Sequence, residues 1–182
     1  MEASVIKKIN RKRMSFLVFL TCALLLCFAF YLELVEGLDP CPLCTLQRAC
    51  IAVGGSFALI ASMHNPGRVG FLCYAVLQVL FFSIGGALAG RQIYLQSLPT
   101  DLVPSCGPDL DYLLEIFPIF EVLRMIILND GSCAEVLWRF LGFSIPQWTI
   151  LAFLLLTVMC LLQISNKLEN EIASKSKSVT AE

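Results

Sequence analysis

Long apolar runs broken by short polar interruptions dominate the chain. Four of them are long enough to cross a bilayer, which takes about 20 residues of helix: Met14–Leu32, Thr45–Met63, Val69–Ala89 and Ile145–Ile164. The second is interrupted in its first turn by Gln47 and Arg48. The stretch "HNPGR" between the second and third runs is a tight Pro-Gly turn. Leu110–Leu128, "LDYLLEIFPIFEVLRMIIL", has the length of a fifth span. However, Asp111, Glu115, Glu121 and Arg124 would each cost roughly 2.5–3.5 kcal/mol at a bilayer centre, and Pro118 breaks the segment. It reads as two short amphipathic pieces lying on the membrane surface. From Asn166 the chain turns polar and rich in Ser and Lys, which predicts a disordered tail over 166–182. The pattern predicts an all-α integral membrane protein: one domain over 1–165, a four-transmembrane-helix bundle with outer loops 33–44 and 90–144. The second outer loop carries the short amphipathic membrane-surface helical segment.

Composition agrees with this reading. Of 182 residues, 58% are hydrophobic and 15% charged, with a mean hydropathy of +0.79, outside the balance of soluble domains. The net charge of −1 hides a segregation, because Lys7, Lys8, Arg11, Lys12 and Arg13 crowd the start of the chain. A basic start followed by an apolar run also fits a secretory signal peptide, but no small-x-small cleavage site follows "FAFYLELVEG". The positive-inside rule puts the basic N-terminus, Arg68, and Lys167, Lys175 and Lys177 on the cytoplasmic side. The segment 33–40 has three acids and no base, and 91–144 has seven acids against three arginines. Both loops therefore face outward, into the periplasm if the source is a Gram-negative bacterium. No feature of the chain suggests a nucleic-acid partner.

Position sorts the nine cysteines. Cys22, Cys27, Cys50, Cys73 and Cys160 fall inside apolar runs, where a thiol packs as a small hydrophobe. Cys41, Cys44, Cys106 and Cys133 fall in the outer loops, the oxidising side where disulfides persist. Two pairings suggest themselves, Cys41 with Cys44 and Cys106 with Cys133. The second, taken alone, reads first as a structural staple worth roughly 3–4 kcal/mol by loop closure. The first constrains almost nothing, because its residues are three apart, and a redox couple explains it better. "CPLC" is also half of many zinc sites. The only histidine, His64, falls on the opposite side, and Cys106 and Cys133 lack the second CxxC of a strong motif.

If the second helix starts at "CPLC", Cys41 takes the N-cap, Pro42 the first helical position and Cys44 the third. Unpaired N–H groups and the positive end of the helix dipole then point at Cys44 and stabilise a thiolate. Arg48 follows one turn later on the same face. It either snorkels to the headgroups or supplies a fixed positive charge beside the thiolate and its electron acceptor. An acceptor living in the membrane is naturally a lipid-soluble quinone, attacked by Cys44, with Cys41 resolving to a disulfide. Arg91, in "AGRQIYLQ", lies at a comparable depth, as a second quinone contact or an interfacial anchor.

These residues resemble the DsbB family of disulfide bond formation proteins. "YLELVEGLDPCPLCTLQR" is similar to the family's first outer loop and catalytic motif. "GRQIYLQSLP" resembles its third-helix exit, and "PSCGPDLDYLL" and "CAEVLWRFLGFSIPQWTI" the surroundings of its two loop cysteines. The likeness covers roughly residues 29–160, with Ser132 standing where many members carry an aspartate. It implies a bacterial inner-membrane enzyme that reoxidises a periplasmic DsbA-like thioredoxin-fold oxidase and passes electrons to ubiquinone or menaquinone. On this chain the resemblance implies that the partner attacks Cys106 and breaks Cys106–Cys133. Cys133 then exchanges with Cys41–Cys44, and Cys44 is left facing the quinone. The loop pair thereby changes from staple to shuttle, and the amphipathic segment becomes the support that holds a mobile loop near the quinone site. Two rivals stand beside this reading. One is a quinone-coupled oxidoreductase of the vitamin-K-epoxide-reductase kind. The other is a non-enzymatic tetraspanin-like scaffold, which leaves Cys41–Cys44 and Arg48 unexplained.

Overall fold

The computed structural model describes residues 2–38, 40–64, 66–99, 110–129 and 139–179. Cys106, Cys133 and Ser132 lie outside the described residues. Among the described residues four helices are long and apolar enough to span a membrane: α1 (Glu2–Leu34), α2 (Pro42–His64), α3 (Arg68–Ser97) and, after a long loop, α6 (Ile145–Val179). Within that loop lie α4 (Leu110–Ile116), α5 (Ile119–Asn129) and a hairpin of β1 (Arg139–Phe140) and β2 (Phe143–Ser144). The helices pack in the order α1, α2, α3, α6, with α2 between α1 and α3.

Apolar side chains cover the outside of the bundle, as a lipid-facing surface requires. Leu24, Phe28, Val76, Leu80, Leu151 and Leu154 are all exposed. The packing between helices depends instead on close approach. At Gly54 a Cβ would come within 2.4 Å of the Phe82 ring, and at Gly85 within 2.2 Å of Phe153. Those missing methyls let two fully buried phenylalanines lie in the seams of α2 with α3 and of α3 with α6. The inner core joins them to Val18, Ile51, Ala58, Leu156 and the buried thiols Cys22 and Cys160. Cys27 and Cys73 are exposed on the apolar outside, and Cys50 is half-buried against the core. Buried polar groups cross between helices: Ser15 Oγ donates to Gln163 Oε1 at 3.3 Å, and the Cys160 thiol to Gln78 Oε1 at 3.4 Å.

Three segments differ from the sequence reading. α3 continues eight residues past Ala89, to Ser97. The polar residues there satisfy neighbours: Gln92 reaches α2, and Gln96 Oε1 accepts from Ser144 Oγ at 3.0 Å. The helix stops at Leu98, whose extended backbone (ψ 144°) is what the following Pro99 demands. α6 likewise runs on to Val179 where the sequence suggests disorder at 166–182. "NKLENEIASKSKSV" holds no Gly or Pro to break the helix, and its Lys and Glu residues favour helix well enough to carry it past the apolar run. The hairpin before α6 has no counterpart in the reading. Leu141 (φ 53°) and Gly142 (φ 85°) form a two-residue turn with both central φ positive, the geometry that suits strand twist.

The amphipathic segment is two helices flanking Pro118, as its proline predicts. Leu113, Val122 and Ile126 are buried together with Leu43 of α2 and Leu95 of α3, and Cys41 packs against the same cluster. Tyr112, Ile116, Ile119 and Phe120 are exposed. The segment thus caps the start of α2 and the end of α3 with one face and leaves apolar side chains exposed on the other.

Candidate functional site

The site is built at the point where α1 ends and α2 begins. α1 closes with Gly37 in the left-handed region (φ 65°) and the Leu38 N–H reaching back to the Leu32 carbonyl. After Pro40 the chain turns into α2, and Pro42 occupies its first position, where a missing N–H loses no helix bond. Cys41 is the N-cap. Its carbonyl accepts the first helical bond from Thr45 N at 3.0 Å, and its sulfur accepts from Cys44 N at 3.4 Å. A sulfur thus does what an N-cap oxygen ordinarily does.

That geometry brings the two thiols together. Cys41 Sγ lies 2.9 Å from Cys44 Sγ, its thiol donating. Both side chains are partly buried, and Cys41 packs against the cluster that α4 and α5 complete. From α3, the Gln92 amide lies alongside the pair, with Nε2 3.3 Å from Cys41 Sγ and 3.2 Å from Cys44 Sγ, and Oε1 3.6 Å from Cys44 Sγ. Gln47 Nε2 in turn donates to Gln92 Oε1 at 2.9 Å. N–H donors on both sulfurs, added to the helix N-terminus beneath Cys44, favour negative charge at this point.

Arg48 sits one turn below Cys44 and turns toward α1. It pairs with Glu33, donates to the Ala29 carbonyl at 3.1 Å, and lies 5.4 Å from the centre of the Phe30 ring. A guanidinium carries five donors, so these contacts anchor it without exhausting it. Phe30 itself is half-exposed, which puts the arginine at a lipid-facing seam between α1 and α2. The seam thus sets a positive charge with spare N–H donors beside an aromatic ring.

The structure brings Cys41, Cys44 and Arg48 into one site. Arg91 is partly buried on α3, but the neighbouring Gln92, about 100° further round the helix, is the side chain that meets the cysteines. Three residues of the site escape the sequence reading: Gln92, Gln47 and Glu33. The available signal was a glutamine in an otherwise apolar run at the outer end of each of two spans. A polar side chain there must find a buried partner, and these two find each other.

The chain matches the family described as "Disulfide bond formation protein DsbB" over residues 11–163. It is similar to the protein named Disulfide bond formation protein B of Marinobacter nauticus, with 53% identity over 143 residues, covering 79% of this chain and 85% of that one. The proteins of the same name from Nitrosococcus oceani and Hahella chejuensis are 49% and 50% identical over 150 and 146 residues. Those matches cover 82% and 80% of this chain, and 88% of each relative.

Proposed function

The chain belongs to the DsbB family of disulfide bond formation proteins, and from that premise we propose that it is a quinone-dependent protein-thiol oxidoreductase of the bacterial inner membrane. Its termini lie in the cytoplasm and its redox cysteines in the periplasm, where it reoxidises a DsbA-like dithiol oxidase. The observation that carries this reading is the Cys41–Cys44 pair, 2.9 Å apart at the first turn of a membrane-spanning helix, with amide donors on both sulfurs.

The relay balances as follows. A thiolate of the reduced partner attacks Cys106 and expels Cys133, and the partner's second thiol then releases Cys106 and leaves the partner oxidised. Cys133 attacks Cys41 of the Cys41–Cys44 disulfide and expels Cys44 as a thiolate, and Cys106 displaces Cys41 to restore the Cys106–Cys133 bond. Two electrons now reside on Cys41 and Cys44. A membrane quinone, ubiquinone or menaquinone, supplies the two-electron acceptor. Cys44 is the sulfur that hands electrons on, and Cys41, already in contact with it, closes the disulfide. Arg48 offers fixed positive charge where negative charge develops. Gln92 holds the sulfurs, and the α4–α5 cap shields Cys41 from water.

The test is loss of quinone absorbance when the detergent-purified protein is mixed with a reduced DsbA-type oxidase and a short-chain ubiquinone. Turnover by the wild type, with Cys44→Ser and Cys106→Ser both inactive, is the expected result. A wild type inactive with both ubiquinone and menaquinone, its disulfides confirmed, overturns it.

A further inference from the structure

Two buried glutamines stand beside the thiol pair, and the exchange chemistry requires neither. Gln47 is 3% exposed and Gln92 4%. An amide side chain has a donating end and an accepting end, and its other hydrogen bonds decide which end faces a given neighbour. Gln47 Nε2 donates to Gln92 Oε1 at 2.9 Å, which leaves the Gln92 Nε2 for the sulfurs. That nitrogen is nearer to Cys44 Sγ than the amide oxygen is, at 3.2 Å against 3.6 Å.

We infer that Gln47 is a positioning residue for the thiol couple: it holds the Gln92 amide in the sense that presents N–H donors to Cys41 and Cys44, and so favours the reduced pair over its disulfide. The direction follows from acceptor strength. A sulfur carrying negative charge accepts a strong, charge-assisted hydrogen bond, whereas a disulfide sulfur is a weak acceptor. The same donors are therefore worth more to the reduced pair. Gln47 lies on α2, one turn after Cys44, and Gln92 on α3. The poise of the couple is thus tied to the packing of those two helices. The inference rests on the reading of Cys41 and Cys44 as a redox couple.

Glutamate has the shape of glutamine but can only accept when ionised. At position 47 it would draw the Gln92 Nε2 to itself and turn Oε1 toward the sulfurs. Methionine keeps the bulk and exerts no pull on the amide. The experiment equilibrates the full-length protein in detergent, without added quinone, across mixtures of reduced and oxidised dithiothreitol. The oxidised fraction of Cys41–Cys44 is read by differential alkylation and peptide mass spectrometry. Gln47→Glu is expected to shift the equilibrium about tenfold toward the disulfide, the scale of one lost hydrogen bond to a charged group, or about 30 mV for a two-electron couple. Gln47→Met shifts it less, and the difference between the two variants vanishes when Gln92→Met is added.

Three results overturn the inference. The first is a wild-type equilibrium in Gln47→Glu. The second is equal shifts in Gln47→Glu and Gln47→Met, which would leave Gln47 only filling space. The third is a difference that survives Gln92→Met, which would mean the carboxylate acts on the sulfurs directly. A wild-type protein whose Cys41–Cys44 pair does not oxidise reversibly removes the redox-couple reading itself, a different result from any of these.

Discussion

Arg48 shows how much one side chain can be asked to do at a membrane boundary. Its charge is held by Glu33, the Ala29 carbonyl and the face of Phe30, all on α1, so the same contacts that fix the guanidinium also fasten α1 to α2. The two roles predict separable effects. Arg48→Ala is expected to slow quinone reduction by roughly 100-fold, the scale of a lost preorganised donor. It should leave thiol exchange with the DsbA-type oxidase nearly unchanged, and stopped-flow measurement of each step checks this. Equal losses in both steps would remove that division of labour. Glu33→Gln keeps the guanidinium but removes its counter-charge. For an ion pair between fully exposed and fully buried, a cost of about 2 kcal/mol is expected, seen as a lower melting temperature in detergent.

At the scale of elements, the outer end of α3 acts as a common support. Gln92 addresses the α2 cysteines, and Gln96, one turn on, accepts from Ser144 in the hairpin that ends the loop carrying Cys133. The α4–α5 cap completes the arrangement by burying Leu113, Val122 and Ile126 against Leu43 and Leu95. If that cap shields Cys41, Val122→Asp will expose it, and reaction of Cys41 with a water-soluble maleimide will quicken severalfold with the bundle intact by circular dichroism. An unchanged rate would mean that the cap does not limit access. Deeper in the bundle, Gly85→Ala places a methyl against the Phe153 ring. Overpacking of this kind costs about 1–3 kcal/mol, and adding Phe153→Leu should recover much of the lost thermal stability.

For the molecule as a whole, the proposed relay needs both thiol pairs on one side of the membrane and the basic turns on the other. Gly67, exposed in the turn between α2 and α3, falls on the cytoplasmic side in the proposed topology. A Gly67→Cys variant should react with an impermeant maleimide only after the membrane is opened, whereas reduced Cys41 and Cys44 should react in sealed spheroplasts. Labelling of Gly67→Cys from outside would invert the topology. The fold serves this sidedness. Its core packs Phe82, Phe153, Leu156 and the buried thiols Cys22 and Cys160, and the thiol pair stands at the end of the bundle where α2 begins.

Much of this was legible in the chain itself. Hydrophobic runs, Pro118 and the N-terminal preference of Pro42 are local signals, so the four spans, the broken amphipathic segment and the placement of Cys41, Pro42 and Cys44 at the start of α2 could be read in order along the sequence. Apolar length alone misjudged where α3 and α6 stop, because those helices continue on propensity and on polar side chains that find partners in three dimensions. The partners themselves depended on tertiary structure. Gln47 meets Gln92 across 45 residues of chain, and Arg48 meets Glu33 across 15. The rotation of each helix about its axis decides such meetings, and it is set by how small residues such as Gly54 and Gly85 let the helices pack. The sequence by itself determined which residues could carry the chemistry, and the packing of α1, α2 and α3 decided which of them stand together.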